Sequence, residues 1–317
     1  MLDQGAEQPS VLITETLLEM KKRYLFVLLP LALVYGMLAF AYGMLSAELK
    51  IFPFEQIREI KHLISMKDVL ANRYVDTKGK VPLASVATYP KRLVFLTYGQ
   101  SNAANTGQLG YEVRHPVFMV SDGVAYKYSD PSLGATGVNG SVWGRVGDKL
   151  IDKGEAPAVF FINVAWGGAS MEELARGHAY DYLENQLRQS LHQFGRIDGI
   201  LIHHGERHNK NIPDKTPLGA GTYAEPFMEL REKLGKLTDA PIYLSQVSYC
   251  GDRGIDYDLL KVQDGLIRDL KGVLRGVNSD KLVDVKYRLR DQCHFSAAGL
   301  DALADQWVAA IEAKSEN

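Results

Sequence analysis

Cysteine is scarce in this chain. Two residues in 317, Cys250 and Cys293, exclude a disulfide-built scaffold and a four-cysteine zinc site. A surplus of either charge is also lacking, since 36 Lys and Arg stand against 38 Asp and Glu, for a formal net charge of -2. That balance provides no field for nucleic acid, so no nucleic-acid partner is expected, and there is no acidic tail. Internal repeats and low-complexity blocks are missing, and 12 Pro with 29 Gly are too few for a disordered or fibrous chain. What remains is an ordinary globular composition, 46% hydrophobic and 23% charged, interrupted by one long run without any charge.

That run is Tyr24 to Ala47. A bilayer core takes about 20 apolar residues in a helix, so the run is long enough to span with some tilt. Lys21, Lys22 and Arg23 precede it and favour a cytoplasmic N-terminus, although Lys50, Arg58 and Lys61 follow on the far side. A cleaved signal is the rival reading, with Ala39-Phe40-Ala41 resembling a cleavage site; a buried core helix is the third. Both membrane readings send the remainder outside the cytoplasm. The expected organisation is a cytoplasmic tail (1–23), a membrane anchor (24–47), a juxtamembrane helix and linker (48–90), and one α/β domain (91–317). Ile57, Ile60, Leu63 and Ile64 give Phe54 to Val69 helical spacing, and Asp76 to Lys80 reads as linker.

From Lys91 onward, short apolar runs alternate with longer amphipathic segments. The runs are Leu93–Thr97, Val159–Val164, Gly199–His203, Ile242–Val247 and Leu282–Val285. Helical patterns cover Val142–Asp152, Tyr180–Phe194, Ala224–Leu237, Tyr257–Leu274 and Ala297–Ala313. This alternation predicts βαβ units, a parallel sheet and a three-layer α/β/α sandwich. In such sheets chemistry gathers at the carboxyl ends of the strands.

Four strand ends carry reactive residue types. After the first run comes Gly99-Gln100-Ser101-Asn102, where a serine past a glycine turn can project its hydroxyl into a crevice. After the second comes Gly167-Gly168, whose free N–H groups suit a developing oxyanion, or simply a tight turn. The third ends in His203-His204-Gly205-Glu206-Arg207-His208. His204 and His208 have a spacing that fits a metal, but no H-E-x-x-H motif and no third ligand accompany them, so no metal is expected. Beyond the last run lies Asp291-Gln292-Cys293-His294. An Asp three residues before a His can bond the imidazole Nδ1–H within one turn and leave Nε2 free as a base.

With those motifs in order, the chain from about Arg92 to Trp307 resembles the SGNH hydrolases, specifically the sialate O-acetylesterase-like carbohydrate esterases. Gly99-Gln100-Ser101-Asn102 looks like their nucleophile block, Gly167-Gly168 like their glycine block, and Asp291-x-x-His294 like their terminal block. The segment from Gly134 to Asp148 is also similar to the family's stretch between the first two blocks. The resemblance implies a triad of Ser101, His294 and Asp291. The implied oxyanion hole is the N–H groups of Ser101 and of Gly168 or Gly167, with a side-chain donor at His204 where the family has glutamine. Gln100, Asn102 and Glu206 are read as support, and no cofactor is implied. The implied reaction is removal of an O-acetyl group from a carbohydrate through an acyl-enzyme. An O-acyltransferase on an exported polysaccharide, or a weakly catalytic carbohydrate-binding protein, are the alternatives. Trp143, Trp166 and Tyr98 are candidates for an aromatic wall against a sugar. Outside the cytoplasm Cys250 and Cys293 are expected to pair and pin the Asp291–His294 turn, the other reading being two buried thiols.

Overall fold

In the computed structural model, residues 28–45, 72–211 and 218–315 are described. The chain divides into two compact units, residues 1–65 and 66–317. In the first, Leu28–Leu45 is one helix without a charged residue, long and apolar enough by composition to cross a membrane. At 1.5 Å per residue its 18 residues measure about 27 Å, close to a hydrocarbon core. The tail at 1–23 and the helix expected at Phe54–Val69 lie outside the described residues.

The second unit runs β1 (Leu93–Gly99), β2 (Val117–Ser121), β3 (Val124–Lys127), α1 (Trp143–Asp152), β4 (Val159–Asn163), α2 (Met171–Ala175), α3 (Gly177–Phe194), β5 (Gly199–His203), α4 (Ala224–Gly235), β6 (Ile242–Gln246), α5 (Tyr257–Asp269), β7 (Val273–Asn278) and α6 (Ala297–Ser315). The seven strands lie in the order β3-β2-β4-β1-β5-β6-β7. All pairings are parallel except β2 with β3. Alternate residues of β1 serve opposite faces, as the strand period of two requires. Val94, Leu96 and Tyr98 pack with Leu174 of α2, Leu183 of α3, Leu230 of α4 and Leu259 of α5. Phe95 packs with Trp143 and Val146 of α1 and Leu303 and Trp307 of α6. Helices therefore cover both faces, which is the three-layer α/β/α architecture the alternation of elements predicts.

Three details differ from the sequence expectation. Leu282–Val285 is not a strand, because 3-10 turns at Ser279–Lys281 and Val285–Tyr287 bracket it. The last strand is β7 instead, and the helix expected to reach Leu274 stops at Asp269, since Gly272 at φ +81° turns the chain back. In the edge strand β7, exposed Arg275 separates buried Val273 from buried Val277, so it shows no continuous apolar run. β2 and β3 form an unexpected antiparallel hairpin through Asp122-Gly123, both at positive φ, which is a two-residue hairpin turn. Finally, the segment read as linker is bound to the domain: Lys80 Nζ donates to the Ser129 and Pro131 carbonyls, and Tyr74 N–H donates to Ala135 O.

Candidate active site

β4, β1 and β5 are neighbours at the centre of the sheet, so the loops that follow them lie side by side at its carboxyl edge. β1 closes on Gly99 at φ +132°, where a Cβ would come within 2.0 Å of the His203 carbonyl oxygen. Only glycine permits that approach, and it puts the Gln100–Ser101 turn directly against the end of β5. Gln100 N–H donates to His203 O (3.2 Å), and Thr106 Oγ1 donates to the Ser101 carbonyl (2.6 Å). Ser101 is thus held at the start of a 3-10 turn, with 9% of its surface exposed.

The opposite wall is the turn at Asp291–His294. Asp291 Oδ1 accepts from the backbone N–H groups of Cys293 (2.9 Å) and His294 (3.0 Å), and Oδ2 lies 2.6 Å from His294 Nδ1. Burial opposes ionisation of this carboxyl, but the backbone bonds from His294 and Cys293 and the bond from the His294 ring outweigh it and hold its pKa below the usual range. The turn needs Gln292 at φ +54°, and the bridge between Arg288 and Phe295 closes its base.

Arg288, which sequence inspection did not single out, fastens this turn. Its buried guanidinium donates to the carbonyls of Cys293 (2.6 Å), Leu282 (2.7 Å) and Ser279 (3.0 Å) and lies 3.9 Å from the Phe295 ring centroid. Asn102 Nδ2 donates to the same Cys293 carbonyl (3.2 Å) and to Glu206 Oε1 (2.7 Å), so the residue next to Ser101 touches the residue next to His294. Burial pushes the Glu206 carboxyl up, with the Asn102 bond opposing it. An unmet buried carbonyl costs about 1–3 kcal/mol. Arg288→Met would leave the Leu282 carbonyl without a donor among the described residues, and would remove one charged donor each from Cys293 O, which keeps Asn102, and Ser279 O, which keeps the Leu282 N–H. It is expected to lower domain stability by about 3 kcal/mol or more, read as a fall in Tm. An unchanged Tm would show that this clamp contributes nothing.

The disulfide Cys250–Cys293 joins the turn to the loop after β6. Its 43-residue separation corresponds to about 4 kcal/mol of chain entropy removed from the unfolded state. Because Arg288, Asn102 and the Gly251 N–H to Gln292 O bond (3.2 Å) hold the turn independently, reduction should cost more stability than turnover. Unreduced protein should show no free thiol on labelling. Dithiothreitol should lower Tm by several degrees while changing kcat by less than about tenfold. A kcat that collapses before Tm moves would contradict this order.

Between the two walls lies a cleft of about 350 Å³, into which Ser101, His294, Gly168, Arg207, Arg253 and the disulfide face. Gly167 N–H is spent on Thr136 Oγ1 (2.7 Å), whereas Gly168, at φ +73°, keeps its N–H without a partner among the described residues. Gly167 and Glu206 also line the cleft, as does Gln100, whose Oε1 accepts from Arg207 N–H (3.1 Å). His204 does not: it is fully buried, and its Nε2 lies 2.9 Å from the Ala169 carbonyl. The oxyanion donor expected there is turned into the core. Trp143, Trp166 and Tyr98 are likewise fully buried and form no wall; the Tyr98 hydroxyl donates to Leu174 O and the Trp143 indole to Ala103 O. Among the described residues no group of three or more His, Cys, Asp or Glu could hold a metal ion.

No protein-family model matches the sequence, and no curated protein matches it by sequence. Among solved structures, it matches a protein of Arabidopsis thaliana at 18% identity with a TM-score of 0.57, over 71% of this chain and 99% of that one. The chain has the fold of that protein. It also matches a carbohydrate acetylesterase from Xanthomonas citri at 18% identity and a TM-score of 0.45, over 68% of this chain and 55% of that one. An acetyl xylan esterase matches at 14% identity and a TM-score of 0.43, over 69% of this chain and 99% of that one.

Proposed function

We propose that this protein is a membrane-anchored serine esterase of the SGNH type that removes acetyl or other short acyl groups from a carbohydrate. The observation that carries the reading is that one cleft gathers Ser101, a histidine backed by a carboxylate within its own turn, and a Gly168 N–H without a partner among the described residues. In the reaction, His294 Nε2 takes the Ser101 proton as Oγ forms a bond to the ester carbonyl carbon. The N–H groups of Ser101 and Gly168 stabilise the oxyanion. The alkoxide leaves with the proton from His294, and water attacks the acyl-enzyme with His294 again acting as base.

Preorganisation supports this assignment of roles. Each wall is fastened by bonds that do not use the reacting atoms, so the site need not reorganise as charge develops. The disulfide suits an oxidising compartment and the apolar Leu28–Leu45 helix suits an anchor, and both support a reading with the catalytic unit outside the cytoplasm. The test is to treat the full-length protein in detergent with an ethyl phosphonate ester and to assay acetate release from acetylated sugars. A phosphonyl adduct on Ser101 together with acetate release is expected. Folded protein that gives neither would end the esterase reading.

A further inference from the structure

Among the buried histidines that the reaction scheme leaves without a role, His204 and His208 form a pair. They follow β5 four residues apart, with ring centroids 5.5 Å from each other and both rings against Tyr223. Each Nε2 is committed to the loop after β4. His204 Nε2 lies 2.9 Å from the Ala169 carbonyl, and His208 Nε2 lies 2.9 Å from the Met171 amide nitrogen. A carbonyl can only accept, so His204 carries its proton on Nε2. An amide N–H can only donate, so His208 Nε2 is bare, and its proton sits on Nδ1, facing Gly219 O and Thr222 Oγ1. Two neutral imidazoles in opposite tautomers thus grip one carbonyl and one amide of the same short loop.

That loop holds the Gly168 N–H. Along it, Trp166 N–H donates to Gly99 O, Gly167 N–H to Thr136 Oγ1 and Ala169 N–H to Trp166 O. Ser170 N–H donates to Glu173 Oε2 and Met171 N–H to His208. From Trp166 to Met171, Gly168 alone keeps its N–H without a partner among the described residues, and it faces the cleft beside Ser101. A donor aimed at an oxyanion loses its value if its loop can rotate. The histidines fix the two peptide planes that follow Ala169, while the Ala169 N–H to Trp166 O bond links them back to Gly168.

We propose that His204 and His208 are positioning residues that hold the loop from behind, one by the Ala169 carbonyl and one by the Met171 amide, so that the Gly168 N–H points at the oxyanion. On this account His204 is not a failed oxyanion donor; it acts on the hole through the backbone. Burial also keeps both rings uncharged, pushing His204 well below the usual histidine range and His208 down to about 4. A charged His208 would turn an N–H against the Met171 N–H. The consequence for catalysis rests on the esterase reading; the grip itself does not.

The experiment compares full-length wild type with His208→Leu, His208→Gln, His204→Leu and His204→Gln. In glutamine, Oε1 or Nε2 takes the place of the imidazole Nε2, as acceptor at 208 and donor at 204; leucine fills the space without either. Both leucine variants are expected to lose about 10- to 100-fold in kcat with KM within about twofold, and both glutamine variants to recover most of it. Amide hydrogen exchange over residues 166–171 should quicken in the leucine variants alone. If a leucine variant fails to fold, His208→Asn, one atom too short to reach Met171, should show the same loss. Loss of activity in His204→Leu with wild-type kcat in His208→Leu would overturn the proposal, since His204 would then act on the oxyanion itself. Unchanged exchange in folded leucine variants would also overturn it. If wild type hydrolyses no ester, the esterase reading falls, and the exchange data alone decide the grip.

Discussion

Ser101→Ala is expected to lower kcat for ester hydrolysis by about 10⁵- to 10⁶-fold while leaving the fold intact. The size follows from what the change removes. Without Oγ no acyl-enzyme can form, but the Gly168 N–H and the binding cleft remain, so a residual acceleration over the uncatalysed reaction should persist. The stability cost should be small, because the Ser101 contacts that hold its turn run through its backbone: Thr106 Oγ1 bonds its carbonyl, and Ala104 N–H donates to the same oxygen. Acetate release and thermal unfolding, measured on the same sample, make the comparison. A mutant that releases acetate within tenfold of wild type would show that Ser101 is not the nucleophile. A mutant that is inactive and also unfolded would leave the loss without chemical meaning, so the intact Tm is part of the expected result.

The parts of this protein legible in the sequence are those whose determinants are local. β1, β4, β5 and β6 are central strands buried on both faces, and each shows as an apolar run. The contact between Asp291 and His294 shows as well, because the two residues meet within one turn. The hairpin of β2 and β3 has its signal in Asp122-Gly123, a two-residue turn between Val117–Ser121 and Val124–Lys127. The edge strand β7 is hidden because exposed Arg275, followed by Gly276, interrupts its apolar residues Val273, Leu274 and Val277. What no sequence window contains is the direction of a buried side chain. His204 turns inward to a carbonyl 35 residues earlier, and Gly167 loses its N–H to Thr136, 31 residues away. Asn102 reaches the Cys293 carbonyl across 191 residues. Composition and spacing identified the loops that build the site; only packing decides which of two glycines keeps a free N–H.

Asp291→Asn is the second large effect expected, a fall of about 10³- to 10⁴-fold in kcat with little change in KM. The argument turns on hydrogen-bond polarity. The asparagine oxygen can still accept from the Cys293 and His294 backbone N–H groups that Asp291 Oδ1 serves, so the turn should keep its shape. Its NH₂ group would then sit where Oδ2 now faces His294 Nδ1, offering a donor in place of an acceptor. The imidazole must respond by moving its proton to Nε2, which leaves no lone pair to accept from Ser101. The pH dependence separates this from loss of structure. Asp291 has a depressed pKa in the fold, so the stability it contributes is full above the unfolded-state value and is lost as pH falls through the folded-state value. Wild type should therefore lose its stability margin over the asparagine variant only in acid, whereas the deficit in kcat should persist at neutral pH where the carboxylate is ionised. A variant that retained kcat within tenfold at neutral pH would mean that His294 finds its working tautomer without Asp291. A variant with wild-type kcat at neutral pH and a deficit only in acid would reduce the carboxylate to a structural bond.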